Sequence, residues 1–270
     1  MISRTIKLFR RIFWKLRWKL RKTPWVIRNW HNGYVITIPF SGSAAQIYYR
    51  KYSEPGLAAW MGKQLQAGDC FVDIGAHVGE YSLIAASAVG PTGKLVALEP
   101  QKDLCEIIEK NFRHNGIKNH RVVHGALGEH CGQCHLFTDD RNKGAVLDLH
   151  SPEANTPMYD LASLLGDTDG NGEIWMKLDA AGYELPCLMA SQDYLKKHPI
   201  HLILKAYNAQ VVHNRFSQIK SSLFEFLKSR DYRCFRLIDG VPTPWDGIVQ
   251  GYCEAILCEP PNSNRFTSDV

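Results

Sequence analysis

The residues best suited to binding a ligand are a glycine-containing turn and one acid further along the chain. Asp73, Gly75 and Gly79 follow an apolar run and precede a helical pattern, and a second apolar run, 94–98, ends at Glu99. Glycines let a backbone approach a ligand closely, and a carboxylate at the tip of the second strand can bind ribose hydroxyls. This spacing predicts a nucleoside-binding site on a strand–turn–helix–strand unit.

The turn differs from a dinucleotide or phosphate site. A dinucleotide fingerprint needs Gly-x-Gly-x-x-Gly, whereas Ala76, His77 and Val78 separate the two glycines here. A P-loop is excluded because no lysine follows the glycines. Asp73 favours S-adenosylmethionine, which has no phosphate and presents an ammonium group, a sulfonium and a ribose diol. The alternative is a doubly wound α/β domain with an ordinary tight turn.

Five blocks of sequence, in order and in spacing, resemble the FkbM family of S-adenosylmethionine-dependent O-methyltransferases. The resemblance covers roughly residues 68–207, and its blocks are 71–82, 95–100, Asn111 with Asn115 and Gly116, 122–129, and 175–185. It implies a class I methyltransferase fold, which is Rossmann-like α/β with a mostly parallel sheet and a terminal antiparallel strand. It also implies S-adenosylmethionine as the cofactor and methylation of a hydroxyl, often on a sugar or a glycosylated natural product.

The same resemblance assigns the cofactor-binding positions. They are Asp73, Gly75, Gly79, Glu99 and the segment Ala126 and Leu127, which the resemblance places beside the adenine. The turn at residues 75–79 is called the cofactor loop below. Ala76 and His77 lie within it and are predicted as further cofactor contacts, although His77 can also be a loop spacer.

This chain departs from the family where the family binds its acceptor. Acids that the family usually carries are replaced by Ala162, Ala181 and Lys205. Asp179 and Glu184 remain as candidate catalytic residues; their alternative role is structural, at the start of the following helix. If Lys205 faces the pocket, it favours an anionic acceptor.

The missing acids do not exclude catalysis. Positioning two reactants contributes roughly 7–11 kcal/mol, whereas a general base contributes about 3–5 kcal/mol. Methyl transfer from a sulfonium depends mainly on positioning, so an enzyme without these carboxylates can be slower and still be an enzyme.

Other polar residues near predicted strand ends have open roles. Asn208, His213 and Arg215 follow the fifth strand and are candidate acceptor contacts. His124 ends the third strand and faces either a ligand or the core. Glu80 either begins its helix as an N-terminal acid or reaches the cofactor ammonium.

The positive charge of the chain is concentrated at its N-terminus. Residues 1–53 contain 12 Lys and Arg and no acid, whereas the rest has 20 basic and 27 acidic residues. Residues 1–22 predict a basic amphipathic helix that Pro24 ends, with Trp14 and Trp18 on the basic side. Its apolar sector consists of Ile2, Ile6, Phe9, Ile12, Phe13, Leu16 and Leu20.

Three functions of this helix stay open: binding an anionic membrane surface, docking or oligomerisation, and binding nucleic acid. The membrane surface is favoured and nucleic acid is disfavoured, because nothing downstream is typical of a recognition module. The sequence shows no membrane span and no signal peptide. We therefore expect a cytoplasmic location with peripheral association to the membrane.

The chain divides into four predicted regions. These are a basic helical arm at 1–30, a lead-in hairpin and helix at 31–67, the methyltransferase domain at 68–260 and a flexible tail at 261–270. The hairpin pairs 34–38 with 46–51. Buried parallel strands are predicted at 70–74, 94–98, 120–124, 174–178 and 200–207, and a terminal hairpin pair at 232–238 and 252–258.

Cys131, Cys134 and His135 form a Cys-x-x-Cys-His motif, which is typical of c-type haem attachment. Haem attachment requires export, and zinc needs four ligands. A labile disulfide and a turn with incidental cysteines are the other interpretations. The last is favoured, and we expect no metal.

The sequence therefore predicts a methyltransferase that uses S-adenosylmethionine to methylate a hydroxyl of a saccharide, or of a glycosylated or lipid-linked acceptor. The alternative is a membrane-associated binding protein on a catalytically decayed methyltransferase scaffold.

Overall fold

A central eight-stranded sheet organises the computed structural model, which describes residues 4–21, 23–138, 145–148, 155–166, 172–180, 182–207, 219–250 and 253–267. The helices are α1 Arg4–Leu20, α2 Gly42–Arg50, α3 Pro55–Gln64, α4 Glu80–Val89, α5 Lys102–His114, α6 Leu161–Leu165, α7 Glu184–Ala190, α8 Gln192–Lys197 and α9 Ile219–Lys228. The strands are β1 Trp25–His31, β2 Tyr34–Ile38, β3 Cys70–Ile74, β4 Lys94–Glu99, β5 His120–His124, β6 Ala126–Leu127, β7 Gly132–Thr138, β8 Ala145–Asp148, β9 Thr156–Tyr159, β10 Ile174–Leu178, β11 Ile200–Tyr207, β12 Arg233–Ile238, β13 Val241–Pro244 and β14 Cys253–Glu259.

The sheet has the order β13-β12-β14-β11-β10-β3-β4-β5. Its five strands from β11 to β5 are parallel, and β14, β12 and β13 are antiparallel. This arrangement confirms the predicted class I methyltransferase fold with its terminal antiparallel strand. Because parallel strands end at one edge, Ile74, Leu98 and Leu178 lie in register there, directly before the candidate site residues.

The inner parallel strands are mostly apolar because both faces of the sheet are covered there. The prediction of a buried strand at 120–124 is wrong in its burial, because β5 lies at the sheet edge and none of its residues is buried. In β3 every residue is buried. Phe71 belongs to the core on the α4 side with Leu83, whereas Val72 belongs to the core on the other side with Leu188 of α7. Successive side chains thus enter opposite cores, which is the alternation expected of a strand.

The predicted N-terminal hairpin is wrong in one of its two strands. Residues 46–51, predicted as a strand, fall mostly in α2, and Tyr34–Ile38 pairs instead with β1. Asn32 and Gly33 form the turn with φ values of 46° and 86°, as an Asn-Gly hairpin turn requires. Ser41 begins α2 because its Oγ accepts a hydrogen bond from Ala44 N at 3.1 Å.

The C-terminal region also departs from the prediction. Segment 232–238 does pair with 252–258, as predicted. Between them the chain forms a further strand, β13, which makes a hairpin with β12 through a turn at Asp239 and Gly240 that the sequence analysis did not predict. A four-stranded second sheet, β6-β9-β7-β8, lies after β5.

The flexible tail predicted for 261–270 is wrong for its described part. Arg265–Thr267 is a 3-10 helix, and the Phe266 ring is buried 5.2 Å from the Trp60 ring. Arg265 Nε lies 2.8 Å from Glu173 Oε2. Burial of one aromatic side chain anchors this segment, which its polar composition does not indicate.

The N-terminal helix packs on the hairpin and on α2 through the side that the sequence assigned to basic residues. Trp14 and Trp18 are buried, and their rings lie 5.3 Å from Tyr48 and 4.8 Å from Phe40 respectively. No helix in the described part of the chain is long and apolar enough to cross a membrane.

Candidate cofactor and active site

The loop between β3 and α4 comes close to the segment after β10. Gly75 has a φ of +71°, and a Cβ built on it would lie 2.3 Å from the carbonyl oxygen of Asp179. The N–H groups of Gly75 and Ala76 donate to Leu98 O at 2.9 and 3.1 Å. Only glycine fits where these two chain segments meet, so the loop position depends on Gly75.

At the other end of the loop, Gly79 has a φ of +75° and precedes α4 directly. A Cβ on Gly79 would lie 3.3 Å from Ile108 of α5, so this end of the loop is also closely packed.

Glu99 ends β4 with a buried carboxylate. It accepts hydrogen bonds from His77 N at 2.7 Å and from Gln101 N at 3.0 Å. Burial raises the pKa of Glu99 to about 7, and the two backbone hydrogen bonds oppose that shift. A carboxylate has about four acceptor sites, so Glu99 retains capacity for a diol.

Ala126 and Leu127 follow a residue that bonds the backbone of Glu99. The preceding residue, Gly125, donates its N–H to Glu99 O at 3.0 Å, and both Ala126 and Leu127 are buried in β6. The structure therefore brings this segment, Glu99 and the loop between β3 and α4 to one edge of the sheet.

His77 occupies the centre of the loop, with a φ of 55°. Its Nε2 lies 3.5 Å from Ser41 Oγ. Burial, and next the charge of Lys177, lower the pKa of His77 to about 4, so its ring is neutral at physiological pH.

Asp73 faces the protein interior. Its Oδ2 accepts hydrogen bonds from Ser82 N at 3.1 Å and from Ser82 Oγ at 2.7 Å, and its Oδ1 lies 3.2 Å from Lys177 Nζ. The same ammonium group lies 3.4 Å from Gly75 O and 4.0 Å from Asp179 Oδ2. In this geometry Asp73 and Lys177 hold the cofactor loop and the Asp179 segment together.

Lys177 stays charged although it is fully buried. Burial acts to lower its pKa, but the charges of Asp73 and Asp179 more than offset this, and the pKa is raised. Lys177 lies in the sequence block 175–185, but the sequence assigned it no role. It pairs with Asp73 because the two residues are in register on adjacent strands.

Glu80 anchors the lead-in segment. Its carboxylate accepts hydrogen bonds from Ser53 N at 2.7 Å and from Ser53 Oγ at 2.5 Å. Burial raises the pKa of Glu80 to about 7 against the effect of these bonds. The sequence left its role open between the helix terminus and the ligand; here the carboxylate fixes the chain before α3.

The two candidate catalytic residues are placed differently. Asp179 follows β10 at the sheet edge, with 27% of its side chain exposed. Glu184 is buried, and its Oε1 accepts hydrogen bonds from Ala180 N at 3.0 Å and from Gly182 N at 3.2 Å. Burial raises the pKa of Glu184 to about 7. Glu184 therefore closes the loop that carries Asp179, whereas Asp179 can reach a ligand.

Lys205 faces the interior and is paired with a residue that the sequence did not single out. Its ammonium group bonds to Glu54, which also accepts a hydrogen bond from the Tyr81 hydroxyl at 2.6 Å. Burial raises the pKa of Glu54, but Lys205 and Tyr81 reverse the shift, and the pKa is lowered. Glu54 thus places a carboxylate beside a position where the family carries an acid, and it neutralises Lys205.

Asn111 and Asn115 connect β2 to α5. Asn111 Oδ1 accepts from Thr37 N at 2.6 Å, and its Nδ2 donates to Thr37 O at 3.2 Å and to Val78 O at 2.9 Å. Asn115 pairs in the same way with both backbone groups of Val35. The two amides act as a strand partner for β2, and Asn111 extends this contact to the cofactor loop.

The remaining candidates lie outside this cluster or outside the described residues. Ala162 is exposed on α6, and His124 contacts Pro100 O at 3.0 Å through Nε2. Predicted site positions outside the described residues are Ala181, Asn208, His213 and Arg215.

Cys131 and Cys134 are free cysteines with different surroundings. Cys131 is exposed, with Sγ 3.2 Å from Ser163 Oγ, whereas Cys134 is buried in β7. Among the residues that the structure describes, no cluster of His, Cys, Asp or Glu could hold a metal ion.

A parallel sheet whose carboxyl edge carries a glycine loop, with an acid on the next strand, is suited to binding a nucleoside. Together with the terminal antiparallel strands, it has the fold of a class I S-adenosylmethionine-dependent methyltransferase. Residues 73–234 match the family described as the methyltransferase FkbM domain. The chain belongs to this family, which confirms the resemblance seen in the sequence.

Several solved structures are similar to this chain. The FkbM methyltransferase from Methylobacillus flagellatus is 14% identical with a TM-score of 0.49; the match covers 80% of this chain and 54% of that one, so this chain spans about half of that protein's length. A Bacillus cereus O-methyltransferase in complex with SAH is 15% identical with a TM-score of 0.46, covering 77% of this chain and 81% of that one.

An O-methyltransferase from Thermotoga maritima is 15% identical with a TM-score of 0.44, covering 87% of this chain and 77% of that one. No curated protein matches the sequence.

The residues present fit S-adenosylmethionine. Glu99 supplies a carboxylate with free acceptor capacity, and the close packing of Gly75 against Asp179 and of Gly79 against Ile108 fixes the loop beside it. Asp73 contributes through the loop that it holds.

Proposed function

We propose that this methyltransferase transfers a methyl group from S-adenosylmethionine to a hydroxyl of a saccharide, or of a glycosylated or lipid-linked molecule. The observation that carries this proposal is the close approach of the cofactor loop to the segment of Asp179, where the Gly75 backbone meets the Asp179 carbonyl. If the cofactor binds along this loop and the acceptor at Asp179, the two molecules lie side by side, as a direct transfer between them requires.

Each residue has a defined part in this proposal. Glu99 binds the ribose hydroxyls, and Ala126 and Leu127 border the adenine. S-adenosylmethionine, when bound, supplies a methyl group on a sulfonium. Asp179 orients the acceptor hydroxyl and accepts its proton, because its carboxylate is the exposed one at the edge. Glu184 acts through the loop that it closes, by fixing where Asp179 lies.

A second candidate is a binding protein on a decayed methyltransferase scaffold. It is favoured by the pairing of Lys205 with Glu54, which leaves neither of these charged groups unpaired for an acceptor. The two candidates differ in turnover, because only the enzyme transfers a methyl group.

Calorimetric titration with S-adenosylmethionine and S-adenosylhomocysteine tests the cofactor site. We expect micromolar binding, and Glu99→Ala should weaken it at least about tenfold because two hydroxyl hydrogen bonds to a charged group are lost. Glu225→Ala is the matched control, an exposed glutamate on α9, and should bind like the parent protein. Absence of binding by the parent protein would exclude the methyltransferase and favour the decayed scaffold.

Transfer of labelled methyl from the donor to saccharides and lipid-linked glycans then separates the candidates. Methyl transfer that Asp179→Asn reduces by about 10²–10⁴ supports the enzyme and the role of Asp179 as a base. Cofactor binding without transfer to any acceptor supports the binding protein.

We also propose a cytoplasmic protein that associates with an anionic membrane through residues 1–22. The exposed apolar and basic side chains of α1 support this association.

A further inference from the structure

The α1 helix has one face that packs on the rest of the protein. On that face lie Trp14 and Trp18, with Arg10, whose Nη1 donates to Tyr48 O at 3.2 Å. The Arg17 guanidinium lies 4.9 Å from the Trp25 ring centroid. These contacts account for the docking of the helix without using its large aliphatic side chains.

A second face of α1 is largely exposed, with the Phe13 ring at its border 5.7 Å from the Trp25 ring. Half of the ten large exposed hydrophobic side chains in the described part of the chain lie there, and we call these five residues the α1 ridge: Phe9 at 67% exposure, Ile12 at 53%, Phe13 at 52%, Leu16 at 53% and Leu20 at 75%. At about 100° per residue the five fall within one sector of about 100°. Exposed apolar side chains that cluster in this way indicate an interaction surface, whereas single exposed apolar residues do not.

The charges beside the α1 ridge select its partner. Arg11, Lys15 and Lys19 are exposed between the ridge and the docked face, and residues 1–53 contain no acid. Two copies of this helix facing each other would bring like charges together, whereas an anionic bilayer offers both apolar depth and opposite charge.

We propose that the α1 ridge inserts into the headgroup region of an anionic lipid bilayer while Trp14 and Trp18 keep the helix docked. The domain, and not a detached arm, is then held on the membrane in one orientation. A helix with an apolar ridge beside basic residues that lies in the interface plane binds in this way.

The docking places the cofactor loop close to the membrane. The Trp18 ring contacts Phe40, the next residue is Ser41, and Ser41 Oγ lies 3.5 Å from His77 Nε2 in the cofactor loop. This last step rests on the proposed function: the acceptor hydroxyl belongs to a lipid-linked molecule that the membrane presents at headgroup depth.

Vesicle cosedimentation of the full chain without cofactor tests the surface. Binding to vesicles of phosphatidylcholine with phosphatidylglycerol is expected, and binding to phosphatidylcholine alone should be weaker. The triple variant Phe9→Gln, Ile12→Gln, Leu16→Gln keeps helix-forming residues and should partition at least about tenfold less. The control Val241→Gln, Ile248→Gln changes exposed apolar residues elsewhere and should bind like the parent protein.

A charge variant, Lys15→Glu with Lys19→Glu, tests the electrostatic part of vesicle binding without changing the α1 ridge. It should lose the preference for anionic vesicles, and added salt should weaken binding by the parent protein. Unchanged vesicle binding in the triple variant would overturn the proposal. A dimer of the parent protein that the triple variant dissociates, without vesicle binding, would also overturn it, because a second copy would then cover the ridge.

The outcome is distinguishable from failure of the proposed function. Vesicle binding without methyl transfer to any acceptor would reject the enzyme and leave the membrane surface standing. Loss of transfer to a lipid-linked acceptor in the triple variant, with unchanged calorimetric affinity for S-adenosylmethionine, supports both.

Discussion

At the scale of single residues, most of the candidate site consists of polar groups that hold one another. Asp73, Glu80, Glu99 and Glu184 are all buried and bonded to protein groups, whereas Asp179 is partly exposed at the carboxyl edge of the sheet. An acidic motif residue therefore need not touch the ligand. Its effect on function can pass through the loop that it positions.

Gly75 is the residue at which a side chain is least tolerated. We expect Gly75→Ala to lower the affinity for S-adenosylmethionine at least about tenfold, because its Cβ would displace the Asp179 segment from the loop. Calorimetry measures the affinity, and thermal denaturation measures the stability.

Gly116→Ala is the matched control for this change. Gly116 has a similar φ of +66° but no atom within 4 Å of a built Cβ. It should lose about 1 kcal/mol of stability from the backbone conformation alone and keep its affinity. Equal affinities of the two variants would contradict the steric role of Gly75.

At the scale of elements, the lead-in region belongs to the cofactor site. Asn111 of α5 and Asn115, directly after α5, bond the edge of β2, and Ser53 before α3 bonds Glu80 of α4. The hairpin is thus fixed to α5, which packs against the cofactor loop, and the chain before α3 is fixed to α4, which follows that loop. This explains why Asn111 and Asn115 lie in one of the sequence blocks that resemble the family.

Asn111→Ala should reduce both stability and cofactor affinity. The change leaves Thr37 N–H, Thr37 C=O and Val78 C=O without their amide partner, at a cost of about 3 kcal/mol or more in unfolding free energy. Denaturant titration and calorimetry measure the two effects.

Asn119→Ala provides the comparison, since its amide bonds Gly90 O and Gly93 O away from the loop. That variant should lose stability alone. If Asn111→Ala also bound the cofactor normally, the contact with Val78 would have no part in shaping the loop.

At the scale of the whole molecule, buried carboxyl groups make stability depend on pH. Burial raises the pKa of Glu80 from 4.5 to about 7, against the hydrogen bonds from Ser53. Between these values the folded state holds a proton that the unfolded state has released, so this contribution to stability is present at low pH and is lost as pH rises to about 7.

Comparison with Glu80→Gln isolates this effect, because the amide does not titrate. The unfolding free energy of the parent protein relative to this variant should fall by up to about 3 kcal/mol between pH 4.5 and 8. Denaturant titrations at both pH values measure it. A relative stability that rises with pH would show that Glu80 is charged throughout.

The sequence by itself determined the features that depend on neighbouring residues. Five mostly apolar runs predicted the five parallel strands. The spacing of Gly75, Gly79 and Glu99 predicted a nucleoside-binding edge, and the resemblance of five sequence blocks indicated the family. Local signals also existed where the prediction was wrong: Asn32 with Gly33, and Asp239 with Gly240, are hairpin turns.

Only the tertiary structure decided which side chains meet across the chain. The sequence suggested Lys205 as a positive charge that would favour an anionic acceptor. In the structure Glu54, 151 residues away, pairs with Lys205 and neutralises that charge. Trp14 and Trp18, rather than the aliphatic sector, dock α1, and Phe266 is buried beside Trp60. Sequence periodicity defines the faces of an element, but which face is covered depends on the shape and charge of distant elements that pack against it.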